Sequence, residues 1–534
     1  YNTSRFRSSY EAWGKNLMAC ISFDTKAGEE VTVKTAISAV STDGARNNMK
    51  ELDGLTFNEL RAKGEALWEK ELGKYTLTAD RKTKETFYTS AYHAALHPFI
   101  FQDSDGQFRG LDKNIEKAEG FTNYTVFSLW DTYRALHPWF NLVQQEVNAD
   151  IANSMLAHYD KSVEKMLPIW SFYGNETWCM IGYHAVSVLA DMIVKEVKGF
   201  DYERAYEAMK TTAMNPNYDC LPEYREMGYV PFDKEAESVS KTLEYAYDDW
   251  AIYKLGKALG KPESEIAVFA KHAMNYKNLF DPETKLMRGR NADGTFQSPF
   301  SPYKWGDAYT EGNAWHYTWS VFHDVEGLAE LMGGGKEFSK MLDSVFVVPP
   351  IYDDSYYGVR IHEITEMQVA NMGNYAHGNQ PAQHMIYLYD YVGQPWKAQY
   401  WVREVMDRLY SAKPDGYCGD EDNGQTSAWY VFSALGFYPV CPASDEYAVG
   451  SPLFKKALIH LENGETVEIE APGNGPENRY VGKMTLDGKT LERTFLKYGE
   501  LLNGAKIAFE MRPEPNDSRG TKAEDAPYSM SDRE

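Results

Sequence analysis

Residues 419–430 read Gly-Asp-Glu-Asp-Asn-Gly-Gln-Thr-Ser-Ala-Trp-Tyr, and an apolar run extends over residues 428–437. The apolar run predicts a helix, and the acidic residues come just before it. Asp420 and Asp422 are spaced i, i+2 between glycines, so they cannot share a regular helix face and predict a tight turn. Backbone N–H groups at a helix N-terminus favour anions. An acidic turn beside aromatic residues therefore suits a polar ligand or a metal better than a core.

The same texture of apolar helical runs separated by loops rich in Gly, Pro and Asp extends over residues 86–440. Predicted helices are 87–96, 185–197, 242–259, 315–331, 383–391 and 397–409. So long a helical region with long loops predicts two concentric rings of helices, as in an (α/α)6 barrel. An α-solenoid is the alternative, but it would show a repeat of about 34–47 residues, and no such repeat is found. The predicted fold class is mainly α with flanking β.

The sequence before the helical region differs in texture. Residues 17–23 and 31–40 are rich in β-branched residues and predict two strands. Two strands cannot form a stable sheet alone, so we interpret residues 1–45 as the last strands of a β domain. Residues 60–72 are helical and charged, and residues 46–85 are predicted to form a helical linker to a catalytic domain over residues 86–440.

After residue 440 the sequence again favours strands, and residues 441–520 are predicted to form a β-rich region. Residues 467–470 alternate in polarity. Three pairs, Asn463-Gly464, Asp487-Gly488 and Asn503-Gly504, are typical hairpin turns. Residues 521–534 are predicted to be a polar, frayed tail.

Composition narrows the range of partners. The 534 residues carry a formal net charge of -23, which argues against nucleic acid and anionic membranes as partners. No window approaches the roughly 18 apolar residues that a membrane span requires. The 38 Tyr and 13 Trp residues offer apolar faces with polar groups that suit sugar binding, although an aromatic-rich core is the simpler interpretation.

Several loops combine acids, amides and aromatic residues. Residues 307–315 read Asp-Ala-Tyr-Thr-Glu-Gly-Asn-Ala-Trp, and the simpler interpretation of Glu311 is a partner for a helix N-cap. Residues 377–381 read His-Gly-Asn-Gln-Pro and offer hard oxygen ligands suitable for Ca²⁺. The simpler interpretation there is a turn with a side chain bonded to backbone.

Two further polar motifs lie elsewhere in the helical region. His362-Glu363 is explained most simply as a solvated surface pair, and residues 130–134 (Trp-Asp-Thr-Tyr-Arg) as an Asp131–Arg134 ion pair on a helix. Each motif alone is weak. Their occurrence together, all at junctions between loops and helices, indicates a shared site.

Four motifs make the sequence resemble a known family, the calcium-dependent exo-α-mannosidases of glycoside hydrolase family 92, from about residue 37 to residue 520. The motifs are Phe127-Ser-Leu-Trp-Asp-Thr-Tyr-Arg134, Tyr309-Thr-Glu-Gly-Asn-Ala-Trp315, His377-Gly-Asn-Gln-Pro381 and residues 419–439. The resemblance implies an N-terminal β-sandwich followed by an (α/α)6 barrel domain. Residues 1–45 would then be the last strands of the sandwich.

The resemblance also implies catalytic roles. Members of the family invert the anomeric centre with a carboxylic acid and a separate carboxylate base. Glu311 matches the general acid, and Asp420 and Asp422 match the pair assigned to base catalysis. Inversion requires the two carboxyl groups about 6.5–9.5 Å apart, which leaves room for water.

The resemblance further implies a Ca²⁺ ion that holds the sugar in a distorted ring. The expected ligands are Asn379, Gln380 and Asp422, with Glu366 as a further candidate. Terminal mannose is expected to be recognised by Trp130, Asp131 and Glu176.

Linkage and substrate follow from other matches to the family. His362 and Glu363 resemble a pair found in α-1,2-specific members, where it contacts the leaving sugar. The expected substrate is therefore an α-1,2-linked mannoside of the N-glycan or mannan type. Glutamate, not glutamine, at 311 argues against cleavage of mannose from phosphate, because phosphate leaves without a proton. The resemblance implies a secreted, periplasmic or cell-surface location, although no signal peptide is recognised in the sequence.

Three alternatives stay open at this stage. The linkage can be 1,3, 1,4 or 1,6. The chain can be another inverting glycosidase built on an (α/α)6 barrel. It can also be a non-catalytic carbohydrate-binding protein that keeps the Ca²⁺ site, although a lectin has no use for an acid at Glu311.

Overall fold

The computed structural model describes residues 14–18 and 20–531. Its α-helices are α1 (Thr42–Met49), α2 (Phe57–Leu72), α3 (Arg81–Ala94), α4 (Leu129–Thr132), α5 (Leu136–Val143), α6 (Gln145–Lys161), α7 (Ala185–Val194), α8 (Tyr202–Ala213), α9 (Leu221–Met227), α10 (Ser238–Ala258), α11 (Glu263–Ala273), α12 (Ala314–Tyr317), α13 (Val325–Met332), α14 (Gly335–Val347), α15 (His362–Ala370), α16 (Pro395–Leu409), α17 (Gln425–Leu435) and α18 (Tyr498–Leu502). No helix within these ranges is long and apolar enough to cross a bilayer.

The strands are shorter, and the longest ones lie in the last hundred residues. They are β1 (Tyr75–Thr78), β2 (Phe99–Ile100), β3 (Gln107–Arg109), β4 (Ile115–Lys117), β5 (Tyr124–Thr125), β6 (Phe127–Ser128), β7 (Trp170–Phe172), β8 (Asn175–Glu176), β9 (Phe280–Asp281), β10 (Leu286–Met287), β11 (Phe437–Tyr438), β12 (Glu446–Val449), β13 (Lys456–His460), β14 (Thr466–Glu470), β15 (Tyr480–Leu486), β16 (Lys489–Thr490), β17 (Phe495–Lys497) and β18 (Lys506–Arg512). Short 3-10 helices occur at Asn275–Leu279, Gln380–Ala382 and Met385–Val392.

The helical region packs as layered pairs. Helix α10 is buried along most of its length and contacts α7, α8 and α11. A helix buried on all faces belongs to an inner layer, and α7 is likewise almost wholly buried. The predicted fold class, mainly α with flanking β, is confirmed. Inner helices covered by outer helices are the arrangement expected of an (α/α)6 barrel.

The helix predicted over residues 315–331 is two helices. The first, α12, ends at Tyr317, and α13 begins at Val325. The break occurs because Asp324 caps the second helix by accepting a hydrogen bond from the Gly327 N–H at 3.3 Å. A capping aspartate inside an apolar run ends one helix and starts another.

A six-stranded sheet has the order β1-β13-β14-β18-β15-β16 and contacts helix α16 through β15. Only β14 and β18 pair in parallel; the other neighbours are antiparallel. Hairpins at Asn463-Gly464 and Asp487-Gly488 are confirmed. The prediction of a hairpin at Asn503-Gly504 is wrong, because this pair joins helix α18 to strand β18. Strand β1 comes from the predicted linker, so that segment belongs structurally to this sheet; the domain boundaries stay predictions.

The two strands predicted before residue 41 are wrong for the described residues. Residues 14–18 and 20–40 contain no strand, and Met18 and Ile37 expose 87% and 89% of their surface. A β-rich pattern does not make a strand without a hydrogen-bonded neighbour. The described part of this segment has no such neighbour, and regular structure begins only at α1, which Ser41 caps.

The polar, frayed tail predicted over residues 521–534 is wrong for residues 525–531, whereas residues 521–524 are exposed. Tyr528, Ser529 and Met530 are buried. The hydroxyls of Ser529 and Ser531 donate to the buried carboxylate of Asp324 at 3.0 and 2.9 Å. The polar residues of this segment are bonded to the start of α13, so it is held against the helical region.

Candidate active site

A small cavity of about 110 Å³ gathers most of the residues predicted from the sequence. It is lined by Trp130, Asp131, Trp170, Met180, Glu311, His362, Glu363, Gly378, Asn379, Asp420 and Asp422. These residues come from loops far apart in the chain, at the junctions with α4, α12, α15 and α17. All three predicted catalytic carboxyl groups therefore face one enclosed space.

The three carboxylates of the acidic turn have two different roles. The helix predicted over residues 428–437 is confirmed as α17, which begins three residues earlier, at Gln425, and ends at Leu435. Glu421 points to the helix, where it accepts hydrogen bonds from the Gly424 N–H at 2.8 Å and from the Ser427 hydroxyl. Its two neighbours, Asp420 and Asp422, line the cavity. The middle acid stabilises the turn, and the outer pair is available for chemistry.

Asp422 lies in an electrostatically unfavourable position. Its backbone has a left-handed φ of 52°, which costs a non-glycine residue energy and often marks a functional position. Burial, and then repulsion by Asp420, raises the pKa of Asp422 to about 7, although the Gln380 amide bonds to it and opposes the shift. Asp420 is more open, with 64% of its side chain exposed.

The loop before α12 presents Glu311 to the cavity. Its backbone N–H donates to the Tyr357 hydroxyl at 3.2 Å, and its carbonyl accepts from the Asn379 amide at 2.9 Å. Its φ of 44° is again left-handed. The cap of α12 is Asn313, which accepts from the Trp315 N–H at 2.9 Å. Glu311 is therefore not engaged in capping.

Burial raises the pKa of Glu311 to about 7, and repulsion by Glu363 and Asp422 contributes. A carboxyl group with a pKa near neutrality keeps its proton for a substantial fraction of the time at pH 7. It can then donate that proton to a leaving group. The environment of Glu311 thus fits a general acid.

The floor of the cavity rests on a buried charged network. The Trp130 indole N–H donates to Glu244 at 3.0 Å, and His184 bonds to Glu244 at 2.9 Å and to Asp248 at 3.0 Å. Burial alone would lower the pKa of His184, but Asp248 and Glu244 raise it to about 9. A buried imidazolium therefore holds the carboxylate that positions Trp130.

The adjacent Asp131 is almost completely buried, and one of its carboxyl oxygens has no hydrogen-bond partner among the described residues. Burial and the nearby Asp422 raise its pKa well above the usual range. The ion pair expected with Arg134 is not formed, because the guanidinium donates to the Trp130 carbonyl and lies 3.8 Å from Glu244. Asp131 is left facing the cavity.

The four predicted metal ligands differ in availability. Asn379 bonds to the acid loop and accepts from the Gln380 N–H at 3.2 Å, so the expected side-chain turn does form. Gln380 lies behind the cavity wall against Asp422. Oε1 of Gln380 and Oε2 of Glu366 are buried and have no hydrogen-bond partner within the described chain.

Two glycines make room for the Glu366 carboxylate. A Cβ atom placed on Gly378 or Gly419 would lie 2.8 Å from Glu366 Oε2. The same carboxylate bonds through Oε1 to His362 Nδ1 at 2.8 Å, and ligand atoms of His362, Glu366 and Asp420 lie within 4.8 Å of one another. Two carboxylates and an imidazole therefore lie within the distance scale of a cation site beside the acidic turn.

His362 and Glu363 are more than a solvated surface pair. Glu363 is only 8% exposed, and His362 Nε2 lies 3.3 Å from its carboxylate. Burial opposes protonation of His362, but the bond to Glu366 and the charge of Glu363 together raise its pKa. The pair lines the cavity at the start of α15.

Three predicted site residues do not line the cavity: Gln380 and Glu366, described above, and Glu176. The Glu176 carboxylate accepts hydrogen bonds from the backbone N–H groups of Ile169, Trp170, Thr177 and Trp178 at 2.9–3.1 Å. Three of these N–H groups bond to Oε1 and one to Oε2, and the contact with terminal sugar stays a prediction. Glu176 organises the loop that carries Trp170 and Met180.

Trp170, Met180 and Tyr357 are site residues that the sequence did not reveal. Trp170 and Met180 lie on either side of the Gly174–Trp178 motif, so a wider view of that motif would include them. Tyr357 holds the backbone of Glu311 from a loop outside every recognised motif. No sequence signal distinguishes it from the other tyrosines.

The model of the glycosyl hydrolase family 92 catalytic domain matches residues 44–513. This chain belongs to glycoside hydrolase family 92. It is similar to the solved structure of the GH92 α-mannosidase BT3965 from Bacteroides thetaiotaomicron in complex with mannoimidazole, with 66% identity and a TM-score of 0.93 over 99% of this chain and 70% of that chain. The GH92 inverting mannosidase BT2199 from the same organism is 42% identical, with a TM-score of 0.85 over 92% of this chain and 68% of that one.

A curated relative is more distant. An uncharacterized secreted glycosidase of Arthroderma benhamiae is 24% identical over 549 residues, which cover 94% of this chain. The GH92 chain spans 63% of the length of that relative. Family membership, together with the close likeness to solved GH92 enzymes, places this chain within a family of glycoside hydrolases.

Proposed function

We propose that this GH92 chain is an inverting exo-α-mannosidase that removes terminal mannose from α-mannosides. The observation that carries the proposal is the convergence of Glu311 with the Asp420–Asp422 pair on one small cavity. The similar structures support the substrate class, because two of them are named as mannosidases and one binds mannoimidazole. A cavity of about 110 Å³ suits one terminal sugar and thus exo action.

In the proposed reaction, Glu311 gives its proton to the glycosidic oxygen as the bond from that oxygen to C1 breaks. A water on the opposite face of the ring forms the new bond to C1 and gives its proton to the Asp420–Asp422 pair. Trp130 and Asp131 hold the terminal sugar from the floor. Bond making and breaking on opposite faces invert the anomeric centre.

The stereochemistry of the first product tests this proposal. Hydrolysis of α-1,2-mannobiose followed by proton NMR should show β-mannose first, before mutarotation mixes the anomers. Heat-denatured protein is the control. Early α-mannose would instead require two displacements and a covalent intermediate, which would contradict the assignment. No release of mannose from any α-mannoside would overturn the substrate class.

We further propose that the site uses Ca²⁺, held by Asp422, Gln380 and Glu366, with Asn379 beside them. The unpartnered oxygens of Gln380 and Glu366 support this ligand set, since Ca²⁺ prefers oxygen ligands and collects six to eight of them. When bound, the ion would supply positive charge that favours ionised carboxylates and binds sugar hydroxyls. His362 is a poorer ligand for so hard a cation.

Chelation should therefore abolish activity. We expect dialysis against EDTA to remove turnover of an aryl α-mannoside, and added Ca²⁺ to restore it better than Mg²⁺, which demands shorter and more regular coordination. Circular dichroism before and after dialysis controls for unfolding. Full turnover by protein that atomic absorption shows to be free of Ca²⁺ would contradict the proposal.

For the linkage we propose α-1,2, because His362 and Glu363 line the cavity where a leaving sugar would lie. His362→Ala and Glu363→Gln should each lower kcat/KM for α-1,2-mannobiose about tenfold, the effect of losing one hydrogen bond to a sugar hydroxyl. Turnover of an aryl α-mannoside, which lacks that sugar, should change little.

Val359→Ala is the matched control for these variants, because Val359 is 66% exposed in the segment leading to α15. The unmutated enzyme should prefer α-1,2 over the 1,3, 1,4 and 1,6 isomers of mannobiose. A preference for another isomer would reassign the linkage and leave the acid and base assignments unaffected.

We also propose a secreted or surface location. The support is the relative from Arthroderma benhamiae, which is named as secreted. Fractionation of the producing cells, with mannosidase activity measured in each fraction, tests this location. Activity confined to the cytosolic fraction would contradict it.

A further inference from the structure

A second groove lies beside the catalytic cavity and shares a wall with it. The groove has a volume of about 420 Å³ and is lined by Trp178 and Tyr218, with Glu164, Asn215, Asn217 and Asp219 around them. The shared wall is the segment from β7 to Met180, because Trp170 and Met180 line the catalytic cavity while Trp178 lines the groove. A ligand that leaves the small cavity over this segment would meet the groove next.

Trp178 is held in an exposed position at an energetic cost. Its side chain is 42% exposed, and its φ of 54° lies in the left-handed region. The Trp178 N–H donates to the Glu176 carboxylate at 3.1 Å, which fixes this backbone conformation. Strained non-glycine residues cluster at functional positions. Here the strained backbone places a large aromatic side chain at the surface.

The groove also has a second ring and a polar rim. The Tyr218 ring lies 5.6 Å from that of Trp178 at an angle of 41°, and its hydroxyl donates to the Gly182 carbonyl at 3.0 Å. The Asp219 carboxylate accepts from Lys241 at 2.8 Å. Asn217 is exposed at the rim, where its backbone N–H is held by Asn215. Carboxylates and amides can accept from and donate to hydroxyls around an aromatic face.

We propose that this groove is a distal subsite that binds a further sugar unit of an α-manno-oligosaccharide, on the leaving-group side of the cleaved bond. An aromatic face packs against the C–H face of a sugar, and the surrounding polar groups bind its hydroxyls. The catalytic cavity accounts for the terminal sugar and for the contacts of His362 and Glu363 with the leaving sugar, so further units must lie outside it. The groove makes the enzyme favour longer chains. This inference rests on the proposed α-mannosidase activity.

The test compares substrates of different length. Trp178→Ala should raise KM for an α-mannopentaose roughly three- to tenfold, the range expected for loss of one aromatic contact. Its kcat on that substrate should stay unchanged, as should both constants on an aryl α-mannoside. Trp178→Phe keeps an aromatic face and should recover most of the loss. Tyr400→Ala, at an aromatic residue 37% exposed on α16, is the matched control and should alter neither substrate.

Binding without turnover gives a second readout. In the Glu311→Gln background, titration calorimetry should show the same three- to tenfold weaker binding of the pentaose on adding Trp178→Ala. Equal losses on both substrates would show that Trp178 only supports the shared wall, and an unchanged pentaose KM would show that no sugar binds there; either result overturns the subsite. If unmutated enzyme cleaves no α-mannoside at all, it is the proposed function that fails.

Discussion

Glu311→Gln is expected to lower kcat for α-1,2-mannobiose by roughly 10²–10⁴-fold, the usual worth of general acid assistance. The leaving sugar departs as an alkoxide unless it receives a proton, and a glutamine cannot provide one. The substitution keeps the size of the side chain and the two backbone bonds of residue 311, to Tyr357 and Asn379. The loss therefore reports the missing proton and not a collapsed loop.

A second substrate separates proton donation from positioning. An aryl α-mannoside with an acidic phenol as leaving group needs little protonation, so Glu311→Gln should slow it far less than mannobiose. Single-turnover kinetics on both substrates, with Kd measured for each, give the comparison. Equal losses on the two substrates would mean that Glu311 binds the sugar and donates nothing.

The acidic turn shows how far sequence reasoning reaches. Glycines on either side of alternating carboxylates predict the turn, and the apolar run after it predicts α17. Which acid faces the cavity is decided by tertiary contacts. Glu421 satisfies the Gly424 N–H and the Ser427 hydroxyl at the start of the helix. That leaves Asp420 and Asp422 for the site, in agreement with their spacing of two.

Glu176 and the segment before residue 41 show what local pattern leaves out. The sequence places Glu176 in a polar motif beside the site, but it does not reveal that four backbone N–H groups bond to its carboxylate. The β-branched run over residues 31–40 has the composition of a strand, yet pairing depends on a neighbour that local composition does not specify. The buried C-terminal segment is a similar case. Its Ser529 and Ser531 bond to Asp324, which lies 205 and 207 residues earlier in the sequence, and local composition does not specify such a partner.

The two aspartates proposed as the catalytic base should be required for turnover of every substrate. Asp422→Ala is expected to lower kcat by roughly 10²–10⁴-fold on mannobiose and on the aryl α-mannoside alike, because either leaving group still requires an activated water. Asp420→Ala should have a smaller effect, since its side chain is 64% exposed and Asp422 lies deeper. Glu421→Gln is the matched control. An amide oxygen can still accept from the Gly424 N–H, so the variant should keep its kcat and lose at most some stability of the fold.

In the Asp422→Ala variant, azide tests whether C1 is attacked from the face that Asp422 serves; the anomer of the first product of the unmutated enzyme separates a base from a nucleophile. Azide is already anionic and needs no base, and removal of the carboxylate leaves room on the face that water attacks. With the aryl α-mannoside, azide should restore turnover and form β-mannosyl azide, since one displacement inverts C1. Formation of α-mannosyl azide would mean that azide had attacked a glycosyl-enzyme intermediate from the other face. In that case a different carboxylate would be the nucleophile, and the inverting assignment of Asp422 would have to be abandoned.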